Sequence, residues 1–101
     1  MVKLVAVYRK PDDIAAFDKH YFDVHLPLAK KMPGLIKSEI EKGVASPMPG
    51  VDVPHLAAHM YFKDMPALQA ALASPEGKAA GKDLMGFAGK YVRMFFTQVM
   101  E

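Results

Sequence analysis

Four histidines and four tyrosines, with no cysteine, are the side chains through which this chain could move protons. His25 leads them. A neutral imidazole accepts a hydrogen bond on one ring nitrogen and donates from the other, and its ordinary pKa of about 6.5 suits acid–base work on a phenol, an enol or a carboxylic acid. Its position singles it out. At about 100° per residue, Ile14, Phe17, Tyr21, His25, Leu28 and Met32 share one helical stripe, so an imidazole interrupts an otherwise apolar face. Two residues on, Pro27 lacks the N–H that would bond the Asp23 carbonyl, so the helix must kink there or restart with Pro27 in its first turn. A polar group buried beside a bend suits a ligand. The competing reading is a core histidine tied to a backbone carbonyl, such as one freed by Pro27.

His59 and Tyr61 stand two residues apart on a strand pattern and therefore point the same way. If that way is toward the helices, they line a cavity opposite His25 and one of them orients a ligand there; otherwise they sit at a dimer interface. Tyr8 and Tyr21 each offer a hydroxyl on a large apolar body, useful for holding a polar substituent, or else simple core packing. Phe17, Leu28 and Phe87 are apolar residues that would enclose the ligand. His20 lies about 140° around an ideal helix from His25. It therefore cannot share a metal with His25 and reads as a solvated edge residue. Nowhere do histidines and acids show metal-ligand spacing, and no phosphate loop, nucleophile elbow or cofactor fingerprint occurs, so neither metal nor cofactor is expected.

The elements that must carry these groups follow from periodicity and capping. Alternation over 2–9 predicts a strand covered on both faces. Asp12 and Asp13 offer an N-cap for the striped helix over 13–31, which Lys30, Lys31 and Pro33-Gly34 bring to a stop. A weaker strand spans 35–42, a long hairpin connection rich in proline and glycine spans 43–54, and a further strand spans 54–63. Asp64-Met65-Pro66 and then Ser74-Pro75-Glu76 each open a helix. Glycines at 77, 81, 86 and 89 predict that the second of these is irregular. The segment 91–100 is apolar on both faces and reads as a strand inside a sheet or between two. Strand, helix, strand, strand, helix, strand, joined by right-handed crossovers, predicts an α+β ferredoxin-like βαββαβ fold, a four-stranded antiparallel sheet with its helices on one face. Its other face would be open although apolar, so two sheets should pair in a homodimer.

With 101 residues, the chain is one domain over 1–101. A net charge of +2 without runs of like charge argues against a nucleic-acid partner. No apolar segment reaches the roughly 20 residues that span a bilayer, and no signal peptide precedes the first strand, so the expected location is the cytoplasm.

Lys3-Leu4-Val5 with Tyr8-Arg9, then Phe17-Asp18-x-x-Tyr21-Phe22-x-x-His25-x-Pro27-Leu28-Ala29-x-x-x-Pro33-Gly34-Leu35, then Tyr61-Phe62, Ser74-Pro75-Glu76-Gly77 and Phe87-Ala88, resemble the EthD family of the dimeric α/β-barrel superfamily. His59 departs from the acidic or neutral residue that the likeness leads one to expect before Met60-Tyr61-Phe62. The resemblance implies a homodimer whose sheets form a barrel, with a small apolar cavity between sheet and helices in each subunit. It also implies relatives that perform cofactor-independent chemistry on aromatic or polyketide-like molecules. The EthD name itself implies an ether-degrading system linked to a cytochrome P450. The reading that results is a homodimer binding a small apolar or aromatic molecule, with His25 as acid–base group and His59 or Tyr61 orienting the ligand. The alternative is a non-catalytic accessory or binding homodimer of such a catabolic system.

Overall fold

The sheet is organised around β1, Val2–Tyr8, which pairs antiparallel with β3, Leu56–Phe62, on one side and with β4, Val92–Gln98, on the other. β2, Lys37–Lys42, pairs antiparallel with β3, giving the order β2-β3-β1-β4 in the computed structural model, which describes residues 1–101. Alternation assigns the faces. Val2, Leu4, Ala6 and Tyr8 of β1 stand opposite Phe62, Met60, Ala58 and Leu56 of β3, and this face carries the helices. Lys3, Val5 and Val7 stand opposite Tyr61, His59 and Ala57 on the other face, which no helix covers. The expected ferredoxin-like βαββαβ architecture is present.

β4 lies at the sheet edge, so of the two positions its apolar faces suggest, inside a sheet or between two, the first is corrected. Met94, Phe95 and Phe96 are consequently 48%, 45% and 48% exposed in the single chain.

The expected single helix over 13–31 is three successive segments. Asp13 caps α1, Ile14–His20, by accepting from the Ala16 N–H at 3.0 Å. A π-helical segment, Tyr21–His25, follows, and α2, Leu26–Ala29, completes the unit. Pro27 explains the break, because it cannot donate to the turn before it and its ring crowds that turn. Widening the preceding turn by one residue, so that the Leu26 N–H bonds the Tyr21 carbonyl, lets the chain carry Pro27 in the first turn of α2 without abandoning helical hydrogen bonding. Gly34, at φ 80°, takes the left-handed conformation that ends the unit.

α3, Met65–Ala73, is capped by Asp64, and α4, Pro75–Ala88, by Ser74. α4 is a regular helix of 14 residues, not the irregular piece its glycines predict. Tertiary burial overrides propensity here, because Gly77, Ala80, Leu84 and Ala88 form one buried face. Gly77 has a further reason to be glycine, since a Cβ there would collide with the Ala71 carbonyl oxygen at the end of α3.

Buried side chains form two clusters. One is aromatic, built on Tyr8, Phe17, Tyr21, Leu84 and Tyr91; the other contains Met32, Met60, Phe62 and Leu68. Gly77→Ala is expected to destabilise the fold by about 1–3 kcal/mol through this overpacking. Gly86→Ala meets open space on an exposed helical turn and should stabilise by about 0.5–1 kcal/mol. Paired thermal melts of the two variants check the contrast.

Candidate functional site

Where the two core clusters meet, they leave a cavity of about 90 Å³ between the sheet and the helices. Twelve of its fifteen lining residues are hydrophobic, so the few polar atoms stand out. Leu4, Ala6 and Met94 supply the sheet side, and Gly77, Ala80 and Gly81 of α4 add little bulk from above. The polar atoms belong to Tyr8, Tyr21 and His25.

His25 is 6% exposed and stands at the end of the π-helical segment. Its Nδ1 lies 3.1 Å from Oδ2 of Asp83 on α4, a carboxylate rather than the backbone carbonyl that a purely structural histidine was expected to find. Nε2 has no hydrogen-bond partner within the chain and is left for the cavity. Burial lowers the His25 pKa below the ordinary histidine value, against the opposing pull of Asp83. The ring is thus a free base near neutral pH, held by a carboxylate that would stabilise it on protonation.

Asp83 is shared. Its Oδ1 lies 2.8 Å from Nε2 of His20, so both histidines reach one carboxylate. This corrects the expectation that they diverge by about 140° on an ideal helix. A π turn closes its hydrogen bond over five residues rather than four and so rotates less per residue than an α turn. Positions 20 and 25 are five apart across such a turn, and they fall on the same side.

The two phenols complete the site. Tyr21 is fully buried, and its hydroxyl interacts with the Tyr8 phenol alone. Tyr8 stands against it with ring centroids 5.4 Å apart. Burial pushes the Tyr21 phenol up to about 12. Burial also pushes Tyr8 far above its ordinary value, reinforced by the Tyr21 phenol. Both therefore remain protonated donors. Donors facing an apolar cavity beside an imidazole free to accept a proton can hold an oxygen atom and stabilise negative charge on it.

Of the other residues singled out in the sequence, Phe17 backs the site from within the core, stacked on Tyr21 at 6.2 Å. Leu28 packs on the second cluster, and Ala29 takes the cavity position instead, because the extra residue in the π turn shifts the phase of the helix after it. Phe87 lies 5.3 Å from the His25 ring and 4.3 Å from that of His20, and lines a surface groove with His20 and Asp83 rather than the cavity.

His59 and Tyr61 are not opposite His25. Ala58 and Met60 line the cavity, so alternation puts 59 and 61 on the helix-free face, a sheet's thickness away. There His59 Nε2 lies 2.8 Å from Glu41 Oε1, and Tyr61 Oη donates to Glu39 Oε1 at 2.6 Å. The assignment of these two to a site shared with His25 is corrected accordingly.

Asp83 was missed by sequence reasoning, although a signal exists. Ala80, Asp83, Leu84 and Phe87 follow helical i, i+3, i+4, i+7 spacing, so an acid stands among inward-facing residues. No group of three or more histidines and acids has the geometry to hold a metal ion.

A four-stranded antiparallel sheet with its helices on one face and a cavity between the layers places the protein in the ferredoxin-like class of α+β folds. Residues 10–90 match the family model of the EthD domain, and the chain belongs to the EthD family. It is 36% identical over 98 residues to an uncharacterized 11.0 kDa protein in the thcB-thcC intergenic region of Rhodococcus erythropolis, covering 96% of this chain and 93% of that one. The crystal structure of an ethyl tert-butyl ether d (EthD) family protein from Bacillus halodurans C-125 superposes with a TM-score of 0.93 at 45% identity, over 99% of each chain. SnoaB, a cofactor-independent oxygenase from Streptomyces nogalater, shares the fold with a TM-score of 0.68 at 16% identity, over 99% of this chain and 93% of its own.

The depressed His25 pKa has a consequence for stability. The unfolded chain takes up this proton more readily than the folded chain, so stability falls as pH drops from 6.5, the ordinary histidine value, through the lowered one. Urea unfolding at about pH 7.5 and about pH 5 should show a larger loss on acidification for wild type than for His25→Gln.

Proposed function

We propose that this EthD-family protein binds a small apolar or aromatic molecule bearing an acidic oxygen or an acidic C–H beside one, and that His25 acts on it as a cofactor-independent acid–base group. One observation carries the reading: His25, whose Nε2 makes no hydrogen bond within the chain, and the adjoining phenols of Tyr8 and Tyr21 line a single apolar cavity. In the step proposed, Nε2 accepts the ligand's proton while the Nδ1–H continues to donate to Asp83, whose charge offsets the imidazolium formed. The Tyr21 hydroxyl, with Tyr8 beside it, donates to the ligand oxygen as negative charge gathers there. The apolar walls exclude water and strengthen both interactions. Returning the proton to another atom of the ligand completes an isomerisation-type cycle without a cofactor. That SnoaB is a cofactor-independent oxygenase supports the idea that a cavity in this fold can host chemistry of its own.

A second reading, the accessory role that the family resemblance implies, is a non-catalytic binder serving an ether-degrading, cytochrome P450-linked system. About 90 Å³ admits few ligand atoms before the methionine walls shift. The two readings part at His25, which an enzyme needs for turnover and a binder does not.

The assembly proposed is a homodimer. Three consecutive exposed apolar residues on an edge strand invite association in a monomer, and the helix-free face beside them carries the half-buried Val7 and Ala57.

Two measurements test these readings. The first follows the His25 ring signals by NMR with small phenols and aromatic acids: a ligand that moves them is expected, and indifference to the whole panel would sink the proposal. Tyr21→Phe should weaken binding about tenfold, because it removes a hydroxyl that lines the cavity. His25→Gln should keep binding and lose turnover; retained turnover would remove His25 from the chemistry. The second is sedimentation: wild type should sediment as a dimer and Phe95→Asp as a folded monomer, whereas a monomeric wild type would overturn the assembly proposed.

A further inference from the structure

Asp83 forms the partition between two spaces. The cavity lies on its His25 side, and an open groove lined by His20, Lys82, Gly86 and Phe87 lies on the other. Each carboxylate oxygen meets one histidine, Oδ2 with Nδ1 of His25 at 3.1 Å and Oδ1 with Nε2 of His20 at 2.8 Å. The His25 side chain is 8% exposed and the His20 side chain 36%, so one imidazole belongs to the interior and the other to solvent.

We propose that His20 is a positioning residue for His25: by holding the outer oxygen of Asp83 it fixes the carboxylate that orients the inner ring. Its own charge, set at the protein surface, decides how strongly that carboxylate favours proton uptake in the cavity. This inference rests on the reading of His25 as the acid–base group.

The physical argument begins with freedom of movement. A carboxylate with one oxygen bonded and the other loose can swing about its χ2 torsion, and the His25 ring would swing with it. Anchoring both oxygens removes that motion, and the Phe87 ring, packed against both imidazoles, keeps them apart. The second part is charge. While His20 is neutral, the negative charge of Asp83 is available to an imidazolium at His25. When His20 is cationic that charge is already matched, and the two cations repel through the shared carboxylate. Protonation outside therefore weakens the base inside.

Other charges near the pair are few. His25 faces Asp83 from α4 and the neutral phenols of Tyr8 from β1 and Tyr21 from its own helical unit. His20 faces Asp83 with Lys82 beside it on α4, and its neighbour Lys19 is paired with Asp23 at 2.9 Å. An isolated surface ion pair would contribute little and influence nothing inside. This one shares its acid with a buried ring.

The test is a histidine-ring NMR titration of the ligand-free full chain. Wild type should show His25 titrating in two steps. His20→Gln keeps an N–H donor for Asp83 but removes the charge; His25 should then titrate in one step, with its midpoint raised by about half a pH unit and its Nδ1–H signal retained. His20→Phe removes the donor as well, and the Nδ1–H signal should broaden as Asp83 comes loose. A His25 curve and Nδ1–H signal unchanged in both variants would overturn the proposal. No ligand is involved, so a cavity that binds nothing would sink the proposed function while leaving this coupling directly readable.

Discussion

A proline inside a helix that must lie against a sheet is the constraint on which the site depends. Pro27 cannot donate to the turn before it, and the chain answers by widening that turn into a π-helical segment, Tyr21–His25, rather than by ending the helix. Two consequences follow from the one inserted residue. His20 and His25 come to the same side, and the helix after the bend is rotated so that Ala29, a small residue, meets the cavity. An unbroken α-helix would carry His20 away from Asp83 and turn Leu28 inward to fill space. The carboxylate pair and the room beside it share one backbone cause.

The cavity has a comparable origin in packing. Interiors of small domains are close-packed, and a gap between two clusters forfeits contacts on every side chain that lines it. Here the gap coincides with glycines and alanines on α4, whose side chains lack the bulk to close the seam. His25, with one ring nitrogen unused, and the phenols of Tyr8 and Tyr21 line the same seam. A fold selected only for stability would fill the seam with apolar bulk. An unfilled gap lined by three polar side chains is the physical basis of the ligand-site proposal.

The frame was legible in the sequence because alternation and capping are local. The strand order, the Asp13, Asp64 and Ser74 caps and the inward stripe of Phe17, Tyr21 and His25 all follow from neighbouring residues. What was not legible depends on distant partners. The glycines of α4 read as helix breakers because propensity cannot see the α3 carbonyls that require Gly77. β4 read as interior because apolarity on two faces cannot tell an inner strand from an edge strand awaiting a partner. The role of Asp83 was hidden by a helix geometry, the π turn, that no simple periodicity announces. His59 and Tyr61 were placed on one face correctly, but which face depends on where Ala58 and Met60 find their neighbours.

Met94 joins the chemistry of the site to the question of assembly. It lines the cavity, and yet it is nearly half exposed on the edge strand. No residue of the same chain lies outside β4 in the sheet, so the cavity wall is thinnest there. A second copy laid against β4 would bury Met94, Phe95 and Phe96 together, and the wall of the cavity would then be backed by the partner's surface. Ligand affinity would depend on protein concentration, since a molecule bound against Met94 loses its backing whenever the subunits part. The division of labour between sheet faces is therefore incomplete at this edge. The helix side holds His25, Tyr8 and Tyr21 and the other side carries no helix, but β4 exposes apolar residues to both.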